Sequence, residues 1–228
     1  SQLLQANGVK IIAGSGKLLP NRVVEVTGFD DSITQYSADD VVIATGSTPI
    51  NLPMAEIDNE RILDSEGALD LKEVPKRLGV IGGGVIGREM ASIWSRLGSE
   101  VVIFEALDHF MPTADKAIAR EAEKQFRAQG LDIRVGAVVV ESEVKGDKVH
   151  VTYEDDDERR DEVFDYLLVA VGRKPVTEGV YDPSTDLLLD GNYIHVDAEC
   201  KTNLPGVWAI GDVVRGLMLA HKGSEEGI

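Results

Sequence analysis

The spacing of apolar residues changes several times along the chain, and each change predicts an element. Residues 9–13 are rich in β-branched side chains and predict a strand, turned by Gly14-Ser15-Gly16. Residues 21–26 and 32–36 are short runs around polar turns and predict a β-meander. Residues 41–44 are an unbroken apolar run, the pattern of a strand buried on both faces. Thr45-Gly46-Ser47-Thr48-Pro49 ends it, and no helix is evident before that point. Residues 50–60 contain Pro and Asn and suit a linker, and Asp64-Ser65 can cap a short helix through Leu71.

The strongest pattern follows. Residues 78–81 are a short apolar strand, continued at once by Gly82-Gly83-Gly84-Val85-Ile86-Gly87. Ile86, Met90, Ile93, Trp94 and Leu97 then fall three or four apart, on one face of a helix that Gly98 ends. Residues 100–104 are a second apolar run, closing in Glu105. Beyond it, residues 115–129 predict a charged helix with Ile118, Ala122 and Phe126 facing inward, closed by Gly130. Residues 131–135 predict a third strand, and 138–144 and 148–153 flank Lys145-Gly146-Asp147 as a hairpin. The segment 154–162 holds seven acidic residues and reads as a solvated loop, without the spacing of a metal site. Residues 163–171 predict a strand, 181–191 a polar loop, and 193–196 and 207–210 short strands, the last ending in Gly211-Asp212.

Strand, glycine turn, helix and strand with an acidic end form the pattern of a dinucleotide-binding unit. Gly82 permits a tight turn out of the strand, Gly84 lets a pyrophosphate approach the backbone, and Gly87 lets the helix pack closely on the sheet. The helix N-terminus offers unpaired N–H groups and a positive dipole end to phosphates. Glu105 can accept hydrogen bonds from both ribose hydroxyls and would repel a 2′-phosphate, which favours NAD over NADP. No Arg follows in 106–112 to reverse that choice. A glycine-rich turn without a ligand is the plainer alternative.

Composition narrows the function classes. The 228 residues are 43% apolar, enough for one large or two modest cores. The net charge of −17 argues against nucleic acid and anionic membrane surfaces. Cys200 is the only cysteine, so no internal disulfide can form, and this usage fits a reducing, cytoplasmic setting. No apolar run approaches a membrane span of roughly 20 residues. Ser1-Gln2-Leu3-Leu4 enters in mid-pattern, and Glu225-Glu226-Gly227-Ile228 stops in the first turns of a helix. A piece of a longer protein is the expectation.

Several local motifs, in one order, carry a resemblance. Val41 to Ser47, with Ala44-Thr45-Gly46 at the strand end, resembles a turn of flavoprotein reductases that have two dinucleotide-binding domains. Gly82 to Glu89 with Glu105 resembles their NAD domain, and Val171-Gly172-Arg173-Lys174-Pro175 the exit from it. Thr202-Asn203-Leu204-Pro205-Gly206-Val207-Trp208-Ala209-Ile210-Gly211-Asp212 resembles their second FAD fingerprint. Met218-Leu219-Ala220-His221-Lys222, followed by Glu225-Glu226-Gly227, is similar to the dihydrolipoyl dehydrogenase family among the class-I pyridine nucleotide-disulfide oxidoreductases. The resemblance covers essentially the whole chain.

It implies an α/β fold in which a Rossmann-like NAD-binding domain, residues 49–191, is inserted between parts of an FAD-binding domain, 1–48 and 192–228. It implies electron transfer from dihydrolipoamide through a cysteine pair and FAD to NAD. Gly82, Gly83, Gly84, Val85, Ile86, Gly87, Arg88, Glu89, Glu105, Val139 and Gly172 would contact NAD. Gly16, Thr45, Gly46, Ser47, Asp212, Met218, Leu219, Ala220 and His221 would contact FAD. Asp212 suits a flavin ribitol hydroxyl, a role compatible with helix capping. Glu89 is favoured by the helix dipole without any function, and the resemblance also places it near the flavin–nicotinamide contact. The partners implied are a second copy of the parent and an acyltransferase complex bearing dihydrolipoamide. His109, His150 and His195 have no partners in sequence and read as structural.

Three departures limit that reading. The cysteine pair, the first FAD fingerprint and the C-terminal acid/base domain of the family are not in these residues. The 228 residues by themselves are therefore expected to lack the dehydrogenase activity, to bind FAD poorly and to retain NAD binding, and no residue is assigned a catalytic or metal-binding role. Arg88 stands where an apolar residue is expected. Two alternatives stay open: another disulfide reductase of the same family, and an NAD-binding module without chemistry.

Overall fold

The computed structural model describes residues 2–111 and 114–228. Ser1, and Pro112 at the end of the Arg-free segment, lie outside the described residues. The chain divides into two compact units, one formed by Pro49–Arg173 and the other by Ser1–Thr48 with Lys174–Ile228.

The Pro49–Arg173 unit is built on a parallel sheet of five strands. Its order is Ile62–Leu63, Tyr166–Val169, Arg77–Ile81, Glu100–Glu105 and Asp132–Val135. Alternation along the strands divides the apolar side chains between two cores. Leu78, Val80, Val101, Ile103 and Leu168 face the helix side, where Met90, Ala91 and Trp94 cover them. Ile81, Val102, Phe104, Leu167 and Val169 face the other way, against Val139, Val149, Val151 and Tyr153 of a three-stranded antiparallel meander. Burial on both faces explains why the central strands are apolar without a break. The middle strand, Arg77–Ile81, has a strand inserted from later in the chain on one side and its βαβ partner on the other. Its C-terminal end is thus the topological switch point, where open α/β sheets bind ligands.

The meander replaces two sequence expectations. The acidic segment 154–162 is mostly strand: Lys148–Asp155 pairs with Glu158–Phe164. The turn is only Asp156-Asp157, both with positive φ (50° and 64°), the geometry of a type I′ hairpin. Cross-strand pairs absorb much of the charge, as Arg160 meets Asp155 at 3.1 Å and Arg159 meets Glu154 at 3.1 Å. No group of three or more possible metal ligands occurs among the described residues. The expected strand 163–171 is also broken at Asp165, where the chain leaves the meander and enters the parallel sheet as Tyr166–Val169.

Smaller differences have similar causes. The short strand Ile62–Leu63 gives no sequence signal, because two residues cannot show a period. The stretch 50–60 is not a free linker: Ala55 is fully buried, and Leu52, Met54 and Ile57 pack against the same core. In the helix Val85–Leu97 the buried stripe is Gly87, Met90, Ala91 and Trp94, while Ile93 and Leu97 are exposed. In the helix Lys116–Ala128, Ala119 is buried and Ile118 is exposed.

The other unit contains the meander Ser15–Leu19, Val23–Thr27 and Ile33–Ser37, and a parallel pair, Val41–Ile43 with Val207–Ala209. Residues 9–13 are not a strand; they find no pairing partner among the described residues, and Val9, Ile11 and Ile12 are exposed. Ser15 and Gly16 belong to the first meander strand rather than to a turn, and a short helix, Gln2–Ala6, precedes it. The second boundary between units falls at Arg173/Lys174, not at 191/192. The reason lies in the core: Val180 and Leu187 join Leu18, Ile194 and Val213 in one cluster. Backbone bonds Leu18 N–H to Val180 O and Asp182 N–H to Leu18 O tie the segment to the same unit. No helix among the described residues is long and apolar enough to cross a membrane.

Candidate dinucleotide site

The strand Arg77–Ile81 delivers the chain into the glycine turn, and the Gly82 N–H donates to Phe104 O at 2.8 Å. Gly82 has φ +101°, which non-glycine residues rarely adopt. A Cβ there would also lie 2.6 Å from the Ala170 carbonyl oxygen. A Cβ on Gly87 would lie 2.0 Å from the Gly82 carbonyl oxygen, so the first helical turn rests directly on the glycine turn. Gly84 differs from both. A Cβ there would meet nothing nearer than the Ala170 oxygen at 4.0 Å, which leaves open space over the backbone where the helix begins. Close contact thus lies beneath the turn and open space above it, at a helix N-terminus, the kind of place where phosphate groups are held in dinucleotide-binding folds.

Glu105 is brought to this turn from the end of the second strand. Among the described residues it is the one buried charged residue, 8% exposed. Its Oε2 accepts from the Gly83 N–H at 2.8 Å and its Oε1 from the Leu107 N–H at 3.0 Å. Each oxygen keeps a second lone pair. The carboxylate is therefore held in one orientation and can still accept from a ligand. Gly83 has a part that the sequence did not disclose. A Cβ there would lie 3.1 Å from Glu105 Oε2 and 3.1 Å from the ring of Phe110.

The remaining sequence candidates of this unit are placed unevenly. Val85 and Glu89 are exposed in the first turns of the helix, and Ile86 and Arg88 are half-buried. Gly172 is exposed, with φ +130°, and its carbonyl accepts from the Ile50 N–H at 3.0 Å. Val139 is buried in the meander core, so its side chain is committed to packing.

In the other unit, Ser47 Oγ donates to Asp212 Oδ2 at 2.6 Å. Thr45 Oγ1 donates to Val176 O at 2.7 Å, and Gly46 O accepts from the Val176 N–H at 2.9 Å. Asp212 sits in the 3₁₀ turn Gly211–Val213, ahead of the helix Ala220–Glu226 that carries His221. Leu219 is the N-cap residue of that helix, Met218 precedes it, and the exposed Ala220 and His221 begin its first turn. Glu226 belongs to the Glu225-Glu226-Gly227 motif, yet sequence reasoning found no role for it. It accepts from the Gly211 N–H at 2.7 Å and pairs with Lys222 at 2.7 Å, which fixes the Gly211-Asp212 turn. Gly16 lies in the first meander strand, opposite Val26.

The dihydrolipoyl dehydrogenase of Cupriavidus necator is 43% identical over 228 residues, 99% of this chain and 48% of that protein. That of Geobacillus stearothermophilus is 39% identical over 226 residues, again 99% of this chain and 48% of the relative. Among solved structures, LpdA of Mycobacterium tuberculosis matches with a TM-score of 0.89 and 31% identity, over 99% of this chain and 50% of its own. The Cu(II) complex of the HOCl-induced flavoprotein disulfide reductase RclA of Escherichia coli matches with a TM-score of 0.87 and 30% identity, over 96% and 49%. The chain thus spans about half the length of the curated relatives it matches. The family model of the pyridine nucleotide-disulphide oxidoreductases matches residues 1–227, and the chain belongs to that family.

Proposed function

We propose that the Pro49–Arg173 unit binds NAD at the glycine turn, and that the whole protein is a dihydrolipoyl dehydrogenase. In that reading the protein oxidises dihydrolipoamide with FAD and reduces NAD to NADH. The observation that carries the NAD assignment is the buried Glu105 carboxylate, oriented by the Gly83 and Leu107 N–H groups beside an open Gly84. A fixed carboxylate accepts from two ribose hydroxyls and repels a 2′-phosphate. Gly82 to Gly87 would hold the pyrophosphate through backbone N–H groups. NAD, when bound, supplies the hydride acceptor, and Glu89 would lie near the nicotinamide side. Asp212, with Ser47 beside it, would hold a flavin hydroxyl in the FAD-binding part, formed by 1–48 and the segment after the NAD-binding unit. The 228 residues hold one cysteine and so cannot form the redox pair. Lipoamide turnover by these residues alone is therefore not expected. The partners of the whole protein would be a second copy and a dihydrolipoamide-bearing acyltransferase complex, in the cytoplasm.

Calorimetric titration of the chain tests the reading. NAD is expected to bind saturably and NADP at least about tenfold more weakly, a difference of about 1.4 kcal/mol. Absence of saturable NAD binding would refute it. NADP binding that equals or exceeds NAD binding would instead favour another disulfide reductase of the family.

A further inference from the structure

We infer that Phe110 is a positioning residue for the choice between NAD and NADP, acting through Gly83 and Glu105. The inference rests on the NAD reading above and deepens it. Phe110 is 1% exposed and lies five residues beyond Glu105, outside every motif the sequence offers. Its ring packs edge-on against Phe126, with centroids 5.9 Å apart, and belongs to the helix-side core with Met90 and Trp94. The same ring reaches the glycine turn. A Cβ on Gly83 would meet Phe110 Cδ2 and Cε2 at 3.1 Å, and Glu105 Oε2 also at 3.1 Å.

Ring and carboxylate therefore close on Gly83 together, and a Cβ between them would require the ring or the carboxylate to shift by a few tenths of an ångström. The loop from Glu105 to Phe110 is held on its other side as well. The Gly136 N–H donates to Leu107 O at 2.8 Å, and the Ala137 N–H to Glu105 O at 3.1 Å. With the loop backbone anchored there, the ring is the support that keeps the Gly83 N–H directed at Glu105. Without it the peptide can settle into the vacated space, and the carboxylate loses one of its two backbone donors. That loss falls on a ligand that uses Glu105 as an acceptor for a free 2′-hydroxyl. It does not fall on a ligand whose 2′-phosphate Glu105 repels. The signature is a change in the NAD-to-NADP affinity ratio, which general loosening of the fold would not produce.

The test is titration of NAD and NADP against the full 228-residue chain, unsubstituted and as Phe110→Leu, Phe110→Ala and Gly83→Ala. Phe110→Leu keeps most of the core volume and decides the matter if Phe110→Ala fails to fold by circular dichroism. Phe110→Leu is expected to weaken NAD roughly tenfold, the order of one lost hydrogen bond to a charged group. NADP affinity is expected to stay within about twofold on the same scale. Gly83→Ala, which pushes the carboxylate from the other side, is expected to narrow the ratio in the same direction. An unchanged ratio in folded Phe110→Leu, or a parallel fall for both dinucleotides, overturns the inference while leaving the NAD reading intact. No saturable NAD binding by the unsubstituted chain overturns the reading, and the inference with it.

Discussion

The two units of this chain are made differently. Pro49–Arg173 is continuous in sequence, and its five-stranded sheet is buried on both faces by elements from the same stretch. The other unit is assembled from two distant segments, and its largest sheet has three strands. Its parallel pair joins Val41–Ile43 to Val207–Ala209, across more than half the sequence. The difference teaches where local pattern is sufficient. A continuous βαβ run brings its own partners, so strand, helix and strand reinforce one another. In the divided unit a run such as 9–13 has strand propensity but no partner among the described residues, and it remains unpaired. β-Propensity measures fit to a half-buried pleated surface, and without that surface it decides little.

Each unit contains one tryptophan, Trp94 in the first and Trp208 in the second, so single-tryptophan variants can follow them separately. The largest effect is expected from Phe104→Ala. Phe104 is 1% exposed and meets the rings of Tyr153 and Phe164 at 4.8 and 5.9 Å. Its truncation should cost about 3–5 kcal/mol in urea unfolding followed by Trp94 fluorescence. An equal shift in the Trp208 signal would break the comparison. Gly87→Ala comes next, at about 2–3 kcal/mol, because its Cβ must displace the Gly82 carbonyl. NAD titration of the same variant should show binding lost with stability, whereas retained binding would separate the turn from the cradle.

Asp165 sharpens the comparison through pH. Burial opposes its ionisation, but the Lys148 ammonium and the Arg77 N–H, which donates at 2.8 Å, hold its carboxyl below the ordinary carboxylate range. A lowered folded value means the stabilisation is present above about pH 4 and is lost as pH falls through the folded value. Asp165→Asn should therefore cost roughly 1–2 kcal/mol at neutral pH and flatten the acid limb of the stability profile. An acid limb identical to that of the unsubstituted chain would assign the loss to other groups. The smallest effect is expected from Asp64→Ala. Asp64 caps the helix Ser65–Leu69 by accepting from the Gly67 N–H at 2.8 Å. Its removal should cost about 1 kcal/mol by thermal unfolding. A change of less than about 0.3 kcal/mol would show that packing, not the cap, holds this short helix.

Much of the Pro49–Arg173 unit was legible because its signals are periodic or steric. Gly82 and Gly87 could be given their turn and packing parts from spacing alone, and the positive φ at Gly82 and the close Gly82 carbonyl under Gly87 agree with those parts. Gly98 ends its helix in the left-handed region, as a C-terminal glycine should. The acidic run at 154–162 misled because composition records charge and not pairing. The same residues alternate as a strand once Arg159, Arg160 and Thr152 stand opposite or beside them. Ile118 and Ile93 misled because a helical stripe has two edges, and period alone does not say which edge meets the sheet.

The amino-acid sequence by itself determined the βαβ unit, its glycine turn, the acidic residue at its second strand and the order of motifs that marks the family. These follow from short-range sterics and from period, which neighbouring residues impose on one another. Only the tertiary structure decided that Phe110 closes under Gly83, that residues 174–191 join the divided unit, and that Glu226 holds the Gly211 turn. Each of these is a contact between residues whose spacing carries no period. It exists only once strand order and burial have brought them together, and that is a property of the packed chain rather than of any stretch of it.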